Sequence, residues 1–152
     1  MKTKIFCDSA DITTIKEFNK NPLVSGFTTN PSLMRKAGAK DYKNYSLKLL
    51  SVCKKKPISL EVFADKFDEM IRQANIINSW GKNVYVKIPV VNSKGLFSGA
   101  VINKLSNKGI KLNITAVYTV PQVRKIIKNL NKKSKTIISI FAGRMSDVGK
   151  DP

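Results

Sequence analysis

The chain has 152 residues, with 28 Lys plus Arg against 10 Asp plus Glu, a net charge of +18, no His and two Cys. An apolar share of 42% is that of a globular protein and excludes general disorder. The lack of His excludes Ser-His-Asp triads, Cys-His pairs and His-ligated metals, so acid-base work falls to carboxylates, Lys, Tyr or water.

The chain opens on Met1-Lys2-Thr3-Lys4-Ile5-Phe6-Cys7-Asp8, whose apolar run stops too soon for a secretory signal. Residues 4–7 read instead as a first strand, ending in Asp8-Ser9. Asp11 then opens a helical spacing of Ile12, Ile15 and Phe18. Residues 23–27 form a second strand that runs into Thr28-Thr29-Asn30-Pro31-Ser32, and Tyr42, Tyr45, Leu49 and Leu50 mark the next helix. A third strand over 57–63 carries Glu61 between Leu60 and Val62, followed by helical spacing at Phe67, Met70, Ile71, Ala74 and Ile77. The fourth strand, 83–88, carries Lys87 just before Pro89. A helix over 99–105 ends at Lys108-Gly109, and the fifth strand, 111–117, holds Asn113 and Thr115 two apart, on one face. Pro121 lies near the start of a helix over 120–130. The sixth strand, 136–141, carries Ser139 and leads to Gly143-Arg144. Every apolar run falls short of the roughly 20 residues of a membrane span, so a soluble cytoplasmic protein is expected.

Strand and helix alternate, which predicts an α/β fold of parallel strands joined by right-handed crossovers. At this spacing two more units would complete an eight-stranded barrel. The closing Gly149-Lys150-Asp151-Pro152 reads as the middle of a loop. The expectation is a (β/α)8 TIM-barrel type of which residues 1–152 form one partial domain, lacking strands 7 and 8.

In such a fold the reactive groups gather at the carboxyl ends of the strands, and here each strand brings a polar group to that end. Lys87 on a central strand would be held from water, as an amine nucleophile for carbonyls is. On an edge strand it would simply snorkel outward. Glu61 could work in acid-base chemistry or form a buried ion pair with Lys87. Asp8 could serve as the N-cap of the first helix, Asn30 could hold a turn with Pro31, and Asn113 and Thr115 could be satisfied core polar groups. Two cysteines, Cys7 and Cys53, suit a reducing compartment, each as a small buried apolar residue.

The charge admits a second class of function, a basic polyanion-binding protein. Against it, 24 of the cations are Lys and four are Arg, spread along the chain without interleaved aromatics. The runs Lys54-Lys55-Lys56 and Lys132-Lys133-Ser134-Lys135 each precede a strand, where a solvated loop is the simpler account. Nucleic acid and membrane are not expected partners.

Five blocks carry a resemblance: Asp8-Ser9-Ala10-Asp11, Gly26 through Leu33, Val84-Tyr85-Val86-Lys87-Ile88-Pro89, Asn113 through Val117, and Ser139 through Asp147. In order and in register they resemble the transaldolase family, in the short branch that includes fructose 6-phosphate aldolases. The resemblance implies a class I aldol mechanism without metal or cofactor, acting on sugar phosphates, in a protein that assembles as a homo-oligomer at full length. By motif, Lys87 would form a Schiff base with the donor ketose, Asp8 would exchange a proton with the substrate hydroxyl, and Glu61 with a water held by Thr115 would shuttle protons. Thr28, Asn30 and Asn113 would hold the dihydroxyacetone hydroxyls, and Ser139 and Arg144 the phosphate, with Phe141 beside them. The aldolase branch usually has Gln in place of Glu61 and Tyr in place of Phe141, so the chain resembles a transaldolase, with a fructose 6-phosphate aldolase-like lyase as the alternative. An inactive barrel fragment is the remaining one.

Overall fold

The computed structural model describes residues 3–151; Met1 and Lys2 of the basic N-terminus and Pro152 of the expected loop lie outside them. The described residues form six strands and seven helices. In order these are β1 (Ile5–Asp8), α1 (Ile12–Lys20), β2 (Val24–Thr28), α2 (Pro31–Lys36), α3 (Tyr42–Val52), β3 (Ile58–Glu61) and α4 (Phe67–Asn78). Then follow β4 (Val84–Pro89), α5 (Gly99–Asn107), β5 (Leu112–Val117), α6 (Val120–Asn129), β6 (Thr136–Ile140) and α7 (Ala142–Ser146). The sheet has the order β1-β2-β3-β4-β5-β6. Its β1/β2, β2/β3, β4/β5 and β5/β6 pairs are parallel. Between β3 and β4, the Ile58 N–H donates to Asn83 and the Val62 N–H to Lys87, so both strands advance together, as parallel strands do. The fold is therefore α/β, with the strand order of the first six βα units of the TIM-barrel type.

The chain divides into two compact units. One runs to Glu61 and takes in Ser79–Tyr85; the other takes in Val62–Asn78 and the chain from Val86 onward. In the first unit, Ile15, Phe27, Met34, Leu49, Ile58 and Leu60 are fully buried. Each contributes about 1.5–3 kcal/mol by leaving water. Gly26 is required there: a Cβ would lie 2.5 Å from the Phe6 ring and 2.7 Å from Pro57. In the second unit Met70, Ala74, Ile88, Ile102, Leu105, Leu112, Ile114 and Ile126 form the core.

Helix starts follow local chemistry. Asp11, Asn30, Asp41 and Thr119 each accept a backbone N–H as N-caps. Thr119 with Gln122 completes a capping box at α6. The expected helices all form, but α2 and α7 were not anticipated. Both are too short to display an apolar period, so only the Asn30-Pro31 pair, N-cap and first helical residue, signals α2. The third strand ends at Glu61 rather than at 63, and the sixth at Ile140 rather than at 141, where Phe141 turns the chain into α7. Of the two Lys runs, Lys54, Lys55, Lys132, Lys133 and Lys135 are exposed, while the Lys56 ammonium donates to the Asn21 carbonyl at 2.8 Å. Among the described residues no helix is long and apolar enough to cross a membrane.

Candidate active site

The second unit contains the amine. Lys87 is only 7% exposed and stands between fully buried Val86 and Ile88. It is the one buried charged side chain among the described residues. The edge-strand alternative fails here, because β4 pairs with β5 over Val86–Pro89 and its Lys87 carbonyl also accepts the Val62 N–H at 3.2 Å. Both sides of the strand are therefore occupied, and the Lys cannot lie along an open edge.

Beside Lys87, the register of β5 places Asn113 opposite it and Thr115 opposite Pro89. Asn113 is fully buried, and its Oδ1 accepts the Ser139 hydroxyl of β6 at 2.7 Å. That bond joins two residues to which different substrate contacts were assigned. The Thr115 hydroxyl is buried and has no hydrogen-bond partner among the described residues. An orphaned buried hydroxyl is costly to keep. The next residue, Ala116, has φ +58°, and pairing with β6 slips between Ile114 and Val117. This is a β-bulge, a device that re-aims side chains, held here at a backbone cost of about 1–3 kcal/mol. Phe141 is half-buried, its ring edge-on to Tyr118 with centroids 5.8 Å apart. Arg144 projects into solvent on α7, with its Nη1 3.4 Å from Asp147 Oδ2.

The first unit contains the carboxylates. Asp8 and Thr28 are register partners at the ends of β1 and β2, and the Thr28 hydroxyl donates to Asp8 Oδ1 at 2.7 Å. Asp8 is exposed and does not cap α1; Asp11 does, accepting the Thr14 N–H at 2.7 Å. The capping alternative for Asp8 is thereby removed. The alternative for Asn30 has substance, since its Oδ1 accepts the Leu33 N–H at 2.9 Å and caps α2. Its side-chain amide remains on the loop after β2. Glu61, half-buried, is the last residue of β3.

Sequence reasoning missed three groups. Tyr42, assigned only a helical apolar position, bonds both backbone groups of Glu61. Asp65 accepts from the Ser93 N–H at 2.7 Å and its hydroxyl at 2.9 Å, tying the loop after β3 to the loop after β4. Those bonds hold its carboxyl below the usual carboxylate range. Ser98, fully buried before α5, has one of three unpartnered buried hydroxyls among the described residues, the others being those of Thr115 and Ser46. Spacing offered no sign of the first two, whose partners lie 19 and 28 residues away. Both cysteines are free thiols; Cys53 is buried as expected, whereas Cys7 is only half-buried because β1 is partly exposed. Burial pushes both thiols up, away from the reactive thiolate, and the Asp8 charge adds to the effect at Cys7. Among the described residues no three Cys, Asp or Glu side chains gather as metal ligands would.

Comparison with known proteins adds a relationship. The family model described as transaldolase/fructose-6-phosphate aldolase matches residues 5–152. A protein of Herpetosiphon aurantiacus named probable transaldolase is 34% identical over 148 residues, 97% of this chain and 62% of its own length. Probable transaldolases of Streptococcus agalactiae and Methanococcus vannielii are each 37% identical over 97% of this chain and 64% of their own lengths. The chain thus spans somewhat under two thirds of these relatives. A match along nearly its whole length, on a sheet of this strand order, leaves one conclusion: the chain belongs to the transaldolase/fructose-6-phosphate aldolase family.

Proposed function

We propose that the protein is a transaldolase working by class I aldol chemistry, passing a dihydroxyacetone unit from a ketose phosphate to an aldose phosphate. The observation that carries this reading is the burial of Lys87 on a strand occupied on both sides. Among the described Lys residues, most of them in water, the one that is buried is the one in the Val-Lys-Ile-Pro block.

The Lys87 amine adds to the ketose C2 carbonyl, and the carbinolamine loses its hydroxyl as water to give an iminium. Glu61 supplies and accepts the protons of these steps through a water on the Thr115 hydroxyl, whose lack of a protein partner supports that assignment. Asp8 takes the proton from the C4 hydroxyl as the C3–C4 bond breaks, its electron pair passing to the iminium nitrogen. The aldose phosphate departs, and the enamine that remains attacks the carbonyl of the acceptor aldose phosphate. Asp8 returns its proton to the new hydroxyl, and hydrolysis frees Lys87. Thr28, the Asn30 amide and Asn113 hold the dihydroxyacetone hydroxyls, Ser139 and Arg144 the phosphate, and Phe141 lines the same region.

Glu61 and Phe141, where the aldolase branch usually has Gln and Tyr, favour transfer over release of the three-carbon unit. The relatives, named probable transaldolases, point the same way. A cytoplasmic place in pentose phosphate interconversion and assembly with further copies belong to the same reading. The test is borohydride reduction in the presence of a ketose phosphate. A covalent adduct carrying the dihydroxyacetone unit on wild type, absent from Lys87→Ala, is expected; folded wild type without an adduct overturns the proposal.

A further inference from the structure

We infer that Tyr42 is a positioning residue for Glu61, its phenol bonding both backbone groups of that residue at the carboxyl end of β3. The inference rests on the reading of Glu61 as a proton shuttle. β2 accompanies β3 as far as the Thr28–Ser59 register pair, after which the Thr29 N–H and hydroxyl both donate to the Ser59 carbonyl, at 3.2 and 2.8 Å. There Asn30 caps α2 and the chain leaves the sheet. Two residues further along β3, the strand period turns the Glu61 N–H and C=O toward the same side as those of Ser59. Backbone groups away from bulk water require partners.

Tyr42 supplies both. Its hydroxyl accepts the Glu61 N–H at 2.8 Å and donates to the Glu61 carbonyl at 2.9 Å. Two peptide planes flank the Glu61 Cα, and fixing one group on each fixes φ and ψ, hence the direction in which Cβ leaves the backbone. The carboxylate starts from that vector. The phenol is itself held. Tyr42 is the first residue of α3, directly after the Asp41 cap that accepts the Asn44 N–H at 2.6 Å. Its ring lies 5.9 Å from that of Trp80 at an interplanar angle of 57°, an attractive tilted geometry. Burial raises the phenol well above its ordinary pKa, with the Glu61 charge adding, so the proton donated to the carbonyl stays in place at working pH.

The test uses the full chain carrying carboxyl-labelled Glu, of which there are three, Glu17, Glu61 and Glu69. Comparison with Glu61→Gln assigns the Glu61 signal. Tyr42→Phe keeps the ring and removes the hydroxyl; its Glu61 carboxyl signal and titration midpoint are expected to move while those of Glu17 and Glu69 stay. In turnover, kcat is expected to fall roughly 10- to 10²-fold with KM little changed, the scale on which small misplacements act. In a Glu61→Gln background Tyr42→Phe is expected to add no further loss, because the two act through one group. Trp80→Phe loosens the ring without removing the hydroxyl and is expected to move the Glu61 signal the same way by less; it also serves if Tyr42→Phe does not fold. An unmoved Glu61 signal, or losses that multiply in the double variant, overturns the inference. Absence of a trapped adduct in wild type defeats the catalytic reading separately, and the carboxyl signal then still decides whether Tyr42 orients Glu61.

Discussion

Strands β5 and β6 are neighbours of similar composition, yet they are built differently. In β5, Leu112, Asn113 and Ile114 are fully buried and Thr115 is 3% exposed. In β6, a run of Thr-Ile-Ile-Ser-Ile, the first four residues are half-buried and Ile140 is 51% exposed. A β-branched apolar run reads the same in both cases, because propensity measures fit to a pleated surface and says nothing of what covers it. The covered strand holds its polar groups in fixed, costly positions, an orphaned hydroxyl and a bulge among them. The less covered strand contributes Ser139, fixed by one bond to Asn113.

Truncation should separate the two strands most sharply. Leu112→Ala leaves a cavity among fully buried neighbours and is expected to lower unfolding free energy by about 2–5 kcal/mol in urea titration. Ile140→Ala, at a half-open position, is expected to change it by less than about 1 kcal/mol. Equal losses would mean that β6 is as fully packed as β5 in solution. Ser139→Ala is a smaller perturbation. It removes one donor from buried Asn113 and should cost about 1 kcal/mol. If Ser139 also meets substrate phosphate, KM for the sugar phosphate rises in this variant by more than in Ile140→Ala.

Much of this was legible in the sequence because local chemistry specified it. Alternation of period-2 and period-3.6 spacing located the strands and long helices to within a few residues. Whether Lys87 stood on an edge or a central strand could not be read from the sequence, since the two differ only in tertiary pairing; the bond from Val62 and the β5 register show β4 occupied on both sides. Asp8 was ambiguous for a reason of spacing, because two Asp residues three apart could each cap α1, and only the geometry selects Asp11. The Tyr42 clamp and the Ala116 bulge left no sequence signal. The first joins residues through a side chain to a distant backbone, and the second is a φ value that Ala seldom adopts.

The same contrast between covered and open positions extends to pH, where the smallest effect is expected. Asp11 lies in solvent at the start of α1, and hydrogen bonds from the Thr14 backbone N–H and hydroxyl hold its carboxyl below the ordinary 3.8. A carboxyl with a depressed folded-state pKa stabilises the fold above its unfolded value, and that stabilisation disappears as pH falls through the folded value. Wild type should therefore melt slightly higher than Asp11→Ala near neutrality, with the gap constant down to about pH 4 and narrowing below it. Leu112→Ala, whose loss involves no titrating group of its own, should keep a nearly constant gap across the same range. A gap for Asp11→Ala that persists unchanged at the lowest pH would assign the cap's value to the geometry of the turn instead of to the charge.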